Sequence, residues 1–207
     1  MEKLSLNKNW ICYVTGKRET QFATDVPHDA MLLDEKSETS AGGVNTGWIE
    51  AQDYTYERNL HISEKWNGKK LLLEFEGIYR KATVYVNRKK AAYHEYGYTG
   101  FYVDITESVN YGADNEIKVT VVNSDQPNSR WYSGTGIYRP VWLYIFPTEH
   151  ILRDEIRVKT LDYQKKKIAV DVKTTGVGML CTEIFDGEKL IVSKTIQSED
   201  TVENAIC

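Results

Sequence analysis

The chain has 207 residues, with 26 lysine and arginine against 30 aspartate and glutamate for a formal net charge of −4, and is 41% hydrophobic and 12% aromatic. At roughly 150 residues per domain that length holds one full domain and part of another, too little for a (β/α)₈ barrel of about 250 residues. The apolar fraction excludes a disordered chain, the acidic balance gives no nucleic-acid footprint, and no apolar run approaches the roughly 20 residues that span a bilayer.

Period-two alternation dominates the pattern. Residues 35–46, polar and rich in Ser, Thr and Gly, read as a mobile loop, or as one lying across a substrate entrance. In Tyr54–Ile62 one face collects Tyr54, Tyr56, Leu60 and Ile62 and the other Thr55, Glu57, Asn59 and His61, which predicts a strand with one buried face. Residues 70–76, 82–86 and 116–122 repeat the logic, separated by turn formers such as Asn67-Gly68 and Tyr111-Gly112. Alternation puts Glu74 and Glu76 on the polar face of their strand, where they are expected to be solvated. No segment carries a 3.6-residue stripe, so the expected class is all-β, an antiparallel sandwich.

The pattern breaks at Phe146-Pro147-Thr148-Glu149-His150, because Pro147 has no amide hydrogen for a central strand. A domain boundary is placed there, dividing the chain into 1–148 and 149–207. Residues 155–159, 167–172, 181–185 and 189–192 predict further strands, with Asp186-Gly187 as a hairpin turn. These resemble the opening of an immunoglobulin-like sandwich, which takes about seven strands. A second sandwich stopping halfway would leave open edges, so the chain is expected to be a fragment of a longer protein.

Catalytic and metal motifs do not emerge. His28, His61, His94 and His150 lack metal-ligand spacing, and neither a Gly-x-Ser-x-Gly elbow nor a phosphate-binding glycine loop occurs. Cys12, Cys181 and Cys207 are odd in number and widely spaced, and are expected to be free thiols. The first eight residues lack the apolar core of a secretion signal, and no Asn-x-Ser/Thr sequon occurs; the expected compartment is the cytoplasm. No metal, cofactor, nucleic-acid or membrane partner is expected.

The most unusual stretch is residues 128–143, where Gly134 and Gly136 sit among Arg130, Trp131, Tyr132, Tyr138 and Arg139. Two readings stand open. In one, Trp131 and Tyr138 cap the sandwich and Arg139 pairs with a carboxylate beneath. In the other, Arg130, Trp131 or Tyr132 faces a sugar, since an aromatic face packs on the C–H face of a pyranose while an arginine fork donates to hydroxyls.

Trp131-Tyr132-Ser133-Gly134-Thr135-Gly136-Ile137-Tyr138-Arg139-Pro140-Val141 resembles the signature that closes the N-terminal sugar-binding domain of glycoside hydrolase family 2. Further elements agree in order: Leu6-Asn7-Lys8-Asn9-Trp10, Val26-Pro27-His28-Asp29-Ala30, residues 75–87, residues 94–101 and Asn115-Glu116-Ile117-Lys118-Val119. Ala30 departs from the family's usual Trp after Pro-His-Asp, leaving a space that opens at the rim or is filled by Met31. Asn87-Arg88 stands where an Asn-Gly hairpin is usual, implying a different turn geometry.

The resemblance implies a jelly-roll, galactose-binding-like sandwich followed by a partial immunoglobulin-like one, ahead of a catalytic barrel not included in this chain. Both catalytic glutamates of the family lie in that barrel, so no residue here is assigned to catalysis; Asn115-Glu116 opens a strand and is not the family's catalytic pair. The implied role is the non-catalytic front of a retaining glycosidase, a β-galactosidase by the form of the motif. It braces the barrel and lends Arg130, Trp131 and Tyr132, with His28 and Asp29 behind them, to the rim of the sugar pocket. The implied partners are its own barrel, a β-galactoside-type carbohydrate and further copies of the intact enzyme. An autonomous carbohydrate-binding module is the alternative from another class.

Overall fold

Burial of every second side chain builds the strands of the first unit. The computed structural model describes residues 1–198 and 201–206. The chain divides into two units, Met1–Ile145 and Phe146–Cys207. Strands β1 (Glu2–Ser5), β2 (Trp10–Val14), β3 (Phe22–Thr24), β4 (Tyr54–Ile62), β5 (Lys70–Phe75), β6 (Ala82–Val86), β7 (Lys89–His94), β8 (Phe101–Asp104), β9 (Ala113–Val121) and β10 (Val141–Phe146) form two sheets. One has the order β3-β2-β4-β9-β6-β7 and the other β1-β10-β5-β8.

Tyr54, Tyr56, Leu60 and Ile62 from β4, Ile117, Val119 and Val121 from β9, and Val84 and Val86 from β6 meet Leu71, Leu73, Phe75, Val103, Val141, Leu143 and Ile145 of the opposing sheet in one core. This is an antiparallel sandwich, as the alternation predicts. Among the described residues helices are limited to single 3₁₀ turns, and none is long and apolar enough to cross a membrane.

The second unit holds β11 (Ile151–Asp162), β12 (Lys167–Thr174), β13 (Gly178–Asp186), β14 (Lys189–Ser198) and β15 (Thr201–Ile206). β12 pairs with β11 and β15, and β13 with β14. Its core is small, Val170, Val172 and Leu180 with Ile168, Ile184, Val192 and Ile196 around them. Asp186 pairs with Lys189, so the hairpin turns on Gly187-Glu188, with φ +59 at Gly187, the backbone that a leading glycine suits.

Several expectations are corrected. Residues 35–46 are tied down rather than loose: Lys36 bridges Ile49, Ser37 N–H donates to Trp48 O at 2.8 Å, and the buried Ser40 hydroxyl donates to Ile49 O at 2.7 Å. The hydroxyl-rich composition serves the loop's own carbonyls. Glu74 is buried, not solvated, and accepts hydrogen bonds from Tyr102 and Tyr144 at 2.7 and 2.8 Å, because the outer face of that sheet is aromatic. Asn87 and Arg88 keep the two-residue turn that needs positive φ at both centres, at +48 and +68. Asn87 compensates with side-chain bonds to Ser108 O and Asn115 Oδ1 at 3.0 and 2.8 Å. Arg139 lies over the Tyr138 ring, 5.2 Å from its centroid, without a carboxylate partner among the described residues. Cys12 is buried and Cys181 exposed, both unpaired, while Cys207 lies outside the described residues.

Candidate functional site

The glycine loop is clamped from three sides. His28 N–H donates to Ile137 O and Ala30 N–H to Thr135 O, each at 2.8 Å, while Gly136 exchanges two backbone bonds with Tyr79, at 2.8 and 3.0 Å. Glycine is required at residue 136: φ is +134, and a Cβ there would sit 2.3 Å from the Tyr56 hydroxyl and 2.8 Å from His28 O. Asn123, fully buried, donates from Nδ2 to Gly134 O at 2.9 Å and to Thr135 Oγ1 at 2.6 Å. Its Oδ1 accepts from Asn128 Nδ2 at 2.8 Å, and Asn128 Oδ1 in turn accepts from Tyr79 Oη at 3.1 Å. One polar network therefore runs from under the loop to Tyr79.

Asp29 is the hub on the other side. Its Oδ1 accepts from Met31 N–H at 3.1 Å, capping the 3₁₀ turn Ala30–Leu33, and from Thr135 N–H at 2.9 Å. Its Oδ2 accepts from the Tyr132 hydroxyl at 2.5 Å. Burial and then this bond to Asp29 push the Tyr132 phenol well above its usual range, so it stays a donor. His28 Nδ1 lies 2.8 Å from Tyr56 Oη, and burial holds its imidazole below the ordinary value of 6.5, with the Asp29 charge opposing. Ala30 and Met31 are both fully buried, so the space left by the missing Trp is not open at a rim.

The five residues singled out from sequence therefore fall into two groups. Asp29, Tyr132 and His28 join the network that fixes the glycine loop. Arg130 and Trp131 instead line a cleft of ≈ 550 Å³. Arg130 is exposed and makes no ion pair among the described residues. Trp131 is 60% exposed and donates its indole N–H to Tyr98 Oη at 2.9 Å. The same cleft is lined by Tyr79, Glu95, Tyr96, Tyr98 and Asn128, which sequence reasoning did not select. Tyr98 packs edge-on against Tyr79 and Tyr96, with centroids 5.3 and 5.6 Å apart. The available signal was the density of tyrosines in His94-Glu95-Tyr96-Gly97-Tyr98 outside any alternating strand.

Among the described residues no three of His, Cys, Asp or Glu converge as metal ligands. Asn115 is fully buried and bonded to Asn110, Ala113 and Asn87, a structural group.

Comparison with known proteins completes this picture. The family model described as "Glycosyl hydrolase 2 galactose-binding domain-like" matches residues 11–142. A β-galactosidase of Bacteroides ovatus is 30% identical over 182 residues, covering 84% of this chain and 21% of its own length. A β-glucuronidase of Bacteroides fragilis is 31% identical over 223 residues, covering 94% of this chain and 30% of its own length. Among solved structures, a glycosyl hydrolase family 2 member from Bacteroides cellulosilyticus superposes with a TM-score of 0.83 at 24% identity, covering all of this chain and 30% of that one. A β-glycosidase from Bacteroides vulgatus gives 0.84 at 23% identity, again covering all of this chain and 29% of that one. The chain thus spans between a fifth and a third of the length of these four proteins. It belongs to glycoside hydrolase family 2, whose galactose-binding-like domain it carries at residues 11–142.

Proposed function

We propose that the chain is the non-catalytic N-terminal portion of a retaining β-galactosidase, with a sugar-binding jelly roll over residues 1–148 and the first strands of an immunoglobulin-like domain over 149–207. The observation that carries this reading is the family match over residues 11–142 in a chain that spans only 21% of the B. ovatus β-galactosidase. Retaining chemistry needs two carboxylates about 5 Å apart flanking the glycosidic bond. Those groups belong to the barrel of the intact enzyme, so this chain alone turns over no substrate.

Its own contribution is positioning. The Asp29 carboxylate and the Asn123 amide fix the backbone of residues 134–136 from two sides, and that loop delivers Arg130 and Trp131 to the exposed cleft. There the guanidinium donates to sugar hydroxyls at the rim of the pocket that the barrel completes.

The test is turnover of nitrophenyl β-galactoside, β-glucuronide and β-mannoside by this chain and by the reading frame extended past Cys207. Activity in the extended protein alone, highest on the galactoside, supports the reading, and higher activity on the glucuronide refutes the choice of sugar. Arg130→Ala in the extended protein should lower kcat/KM about tenfold, or about 1.4 kcal/mol of transition-state stabilisation.

A further inference from the structure

We propose that the outer edge of β11 is the docking surface for a second copy of this chain. The two β11 strands pair antiparallel about a two-fold axis at Arg157, which joins the β15-β12-β11 sheets of the two copies into one.

The edge itself is unusual in this molecule. β11 runs for 12 residues, Ile151–Asp162, and among the described residues it pairs on one side only, with β12. It holds no Pro or Gly, and every residue from Ile156 to Leu161 is exposed. The outermost strands of the first unit are shorter, with 4 residues in β1, 3 in β3, 6 in β7 and 4 in β8. A long edge without a breaker offers a row of N–H and C=O groups to another strand, which short edges and prolines forestall.

Both faces of this edge are complementary to themselves. Ile156 pairs with Val172 and Val158 with Val170, so alternation puts Ile156 and Val158 on the face that carries the second unit's core, where they stay 49% and 66% exposed. Glu155, Arg157 and Lys159 line the opposite face. A two-fold at Arg157 brings Ile156 opposite Val158 twice and Glu155 opposite Lys159 twice, an apolar pair and an opposite-charge pair of the kind that stabilises antiparallel strands. Neighbouring registers lose the match. Centring on Ile156 sets Arg153 against Lys159, and centring on Val158 sets Arg157 against Lys159.

Within its own chain Glu155 has Lys173 at 3.0 Å, and Lys159 has Asp171 at 2.6 Å. From β12 of one copy to β12 of the other the charges then run Lys173, Glu155, Lys159, Asp171, alternating in sign across the junction. Arg157 faces its own counterpart on the axis, a like-charge contact that, with the short length of matched strand, makes the dimer weak and reversible.

The experiment is sedimentation equilibrium of the 207-residue chain in a Cys181→Ser/Cys207→Ser background, which leaves only the buried Cys12 thiol. The expected result is a monomer–dimer equilibrium with Kd on the order of 100 µM. Glu155→Lys and Lys159→Glu should each raise Kd at least about tenfold, because each sets like charges opposite one another twice. An equimolar mixture of the two variants should dimerise again, since a cation at 155 then meets an anion at 159 in both contacts. Mixing does not restore the intrachain pairs with Lys173 and Asp171, so recovery reports on the junction and not on the fold. In the same background Arg157→Cys should oxidise to a disulfide-linked dimer, because opposed residues of antiparallel strands have Cα atoms about 4.5–5.5 Å apart, within reach of a disulfide. Leu161→Cys, about 27 Å from its counterpart at about 3.4 Å per residue, should not. A chain that stays monomeric at about 1 mM overturns the proposal. So do unchanged association in the two charge variants, a mixture that associates no better than either variant alone, and equal cross-linking at residues 157 and 161.

Discussion

Replacing Gly136 by alanine should destabilise the first unit more than any other single methyl added to a loop glycine with room around it. Two effects coincide at this position. A φ of +134 is essentially closed to residues with a Cβ, which costs about 1–3 kcal/mol. The new methyl would also lie 2.3 Å from Tyr56 Oη and 2.8 Å from His28 O, and neither atom is the free end of a flexible chain. Tyr56 is fully buried in the core, and His28 O belongs to the segment that pairs with residues 135–137. Relief requires moving the Tyr56 ring away from His28 Nδ1, losing a part-buried hydrogen bond worth about 1 kcal/mol on top of an overpacking cost of about 1–3 kcal/mol.

Gly16 is the control, since its φ is +83 and nothing lies within 4 Å of an added Cβ. There the backbone effect acts alone, at about 1 kcal/mol. At about 2–4 °C per kcal/mol for a protein of this size, Gly136→Ala should lower Tm by about 10 °C and Gly16→Ala by only about 3 °C. All five tryptophans, at positions 10, 48, 66, 131 and 142, belong to the first unit, so a tryptophan-fluorescence melt reports on that unit directly. Equal losses at the two sites would refute the claim that close packing against Tyr56 and His28 is what demands glycine at 136.

Asn123→Ala removes the amide beneath the loop and strands Gly134 O and the Thr135 hydroxyl, so a loss of about 2–3 kcal/mol is expected in urea unfolding, with the m-value unchanged. Arg88→Gly should raise Tm by a few degrees, because it relieves a φ of +68 at an exposed turn residue at no loss of contacts, a gain of about 1 kcal/mol. The half-buried His28 imidazole titrates below its ordinary value, so the unfolded chain takes up its proton first as the pH falls. The stability it confers is complete above about pH 6.5 and is lost as the pH drops below that value towards the folded pKa. His28→Gln should accordingly flatten the fall in Tm between pH 7 and pH 5. In a Cys207→Ser background, a thiol reagent at pH 8 should label Cys181 within minutes and leave Cys12 untouched until unfolding, since burial pushes the Cys12 thiol up to about 12.

What was legible in the sequence follows from how local each determinant is. The bounds of strand β4 were readable because its period-two pattern and its pairing with β9 impose the same alternation, although Thr55, placed on the polar face, is itself buried. The second unit's ribbon was readable for a similar reason, with Gly187 marking the turn. Glu74 was not, because alternation reports which side of a strand a residue occupies and not whether aromatic side chains from β8 and β10 cover that side. The 35–46 loop failed in the same way: a run of Ser and Thr looks solvated until the carbonyl that each hydroxyl satisfies is known.

The site divides along the same line. Trp131 and Arg130 stood out through an uncommon local string, but their roles separate from those of Asp29 and Tyr132 only in three dimensions. Asp29 binds Thr135 and Tyr132 across more than a hundred residues of sequence, and a carboxylate that accepts three hydrogen bonds from its own chain has little capacity left for a ligand. Trp131, whose single donor reaches Tyr98 33 residues away, stays 60% exposed. The residues spent on holding the loop and those left free in the cleft were adjacent in the sequence, and only the hydrogen-bond partners tell them apart. A loop fixed by Asp29 and Asn123 leaves Arg130 and much of the Trp131 ring exposed in the cleft, the two groups that the proposed sugar contact uses.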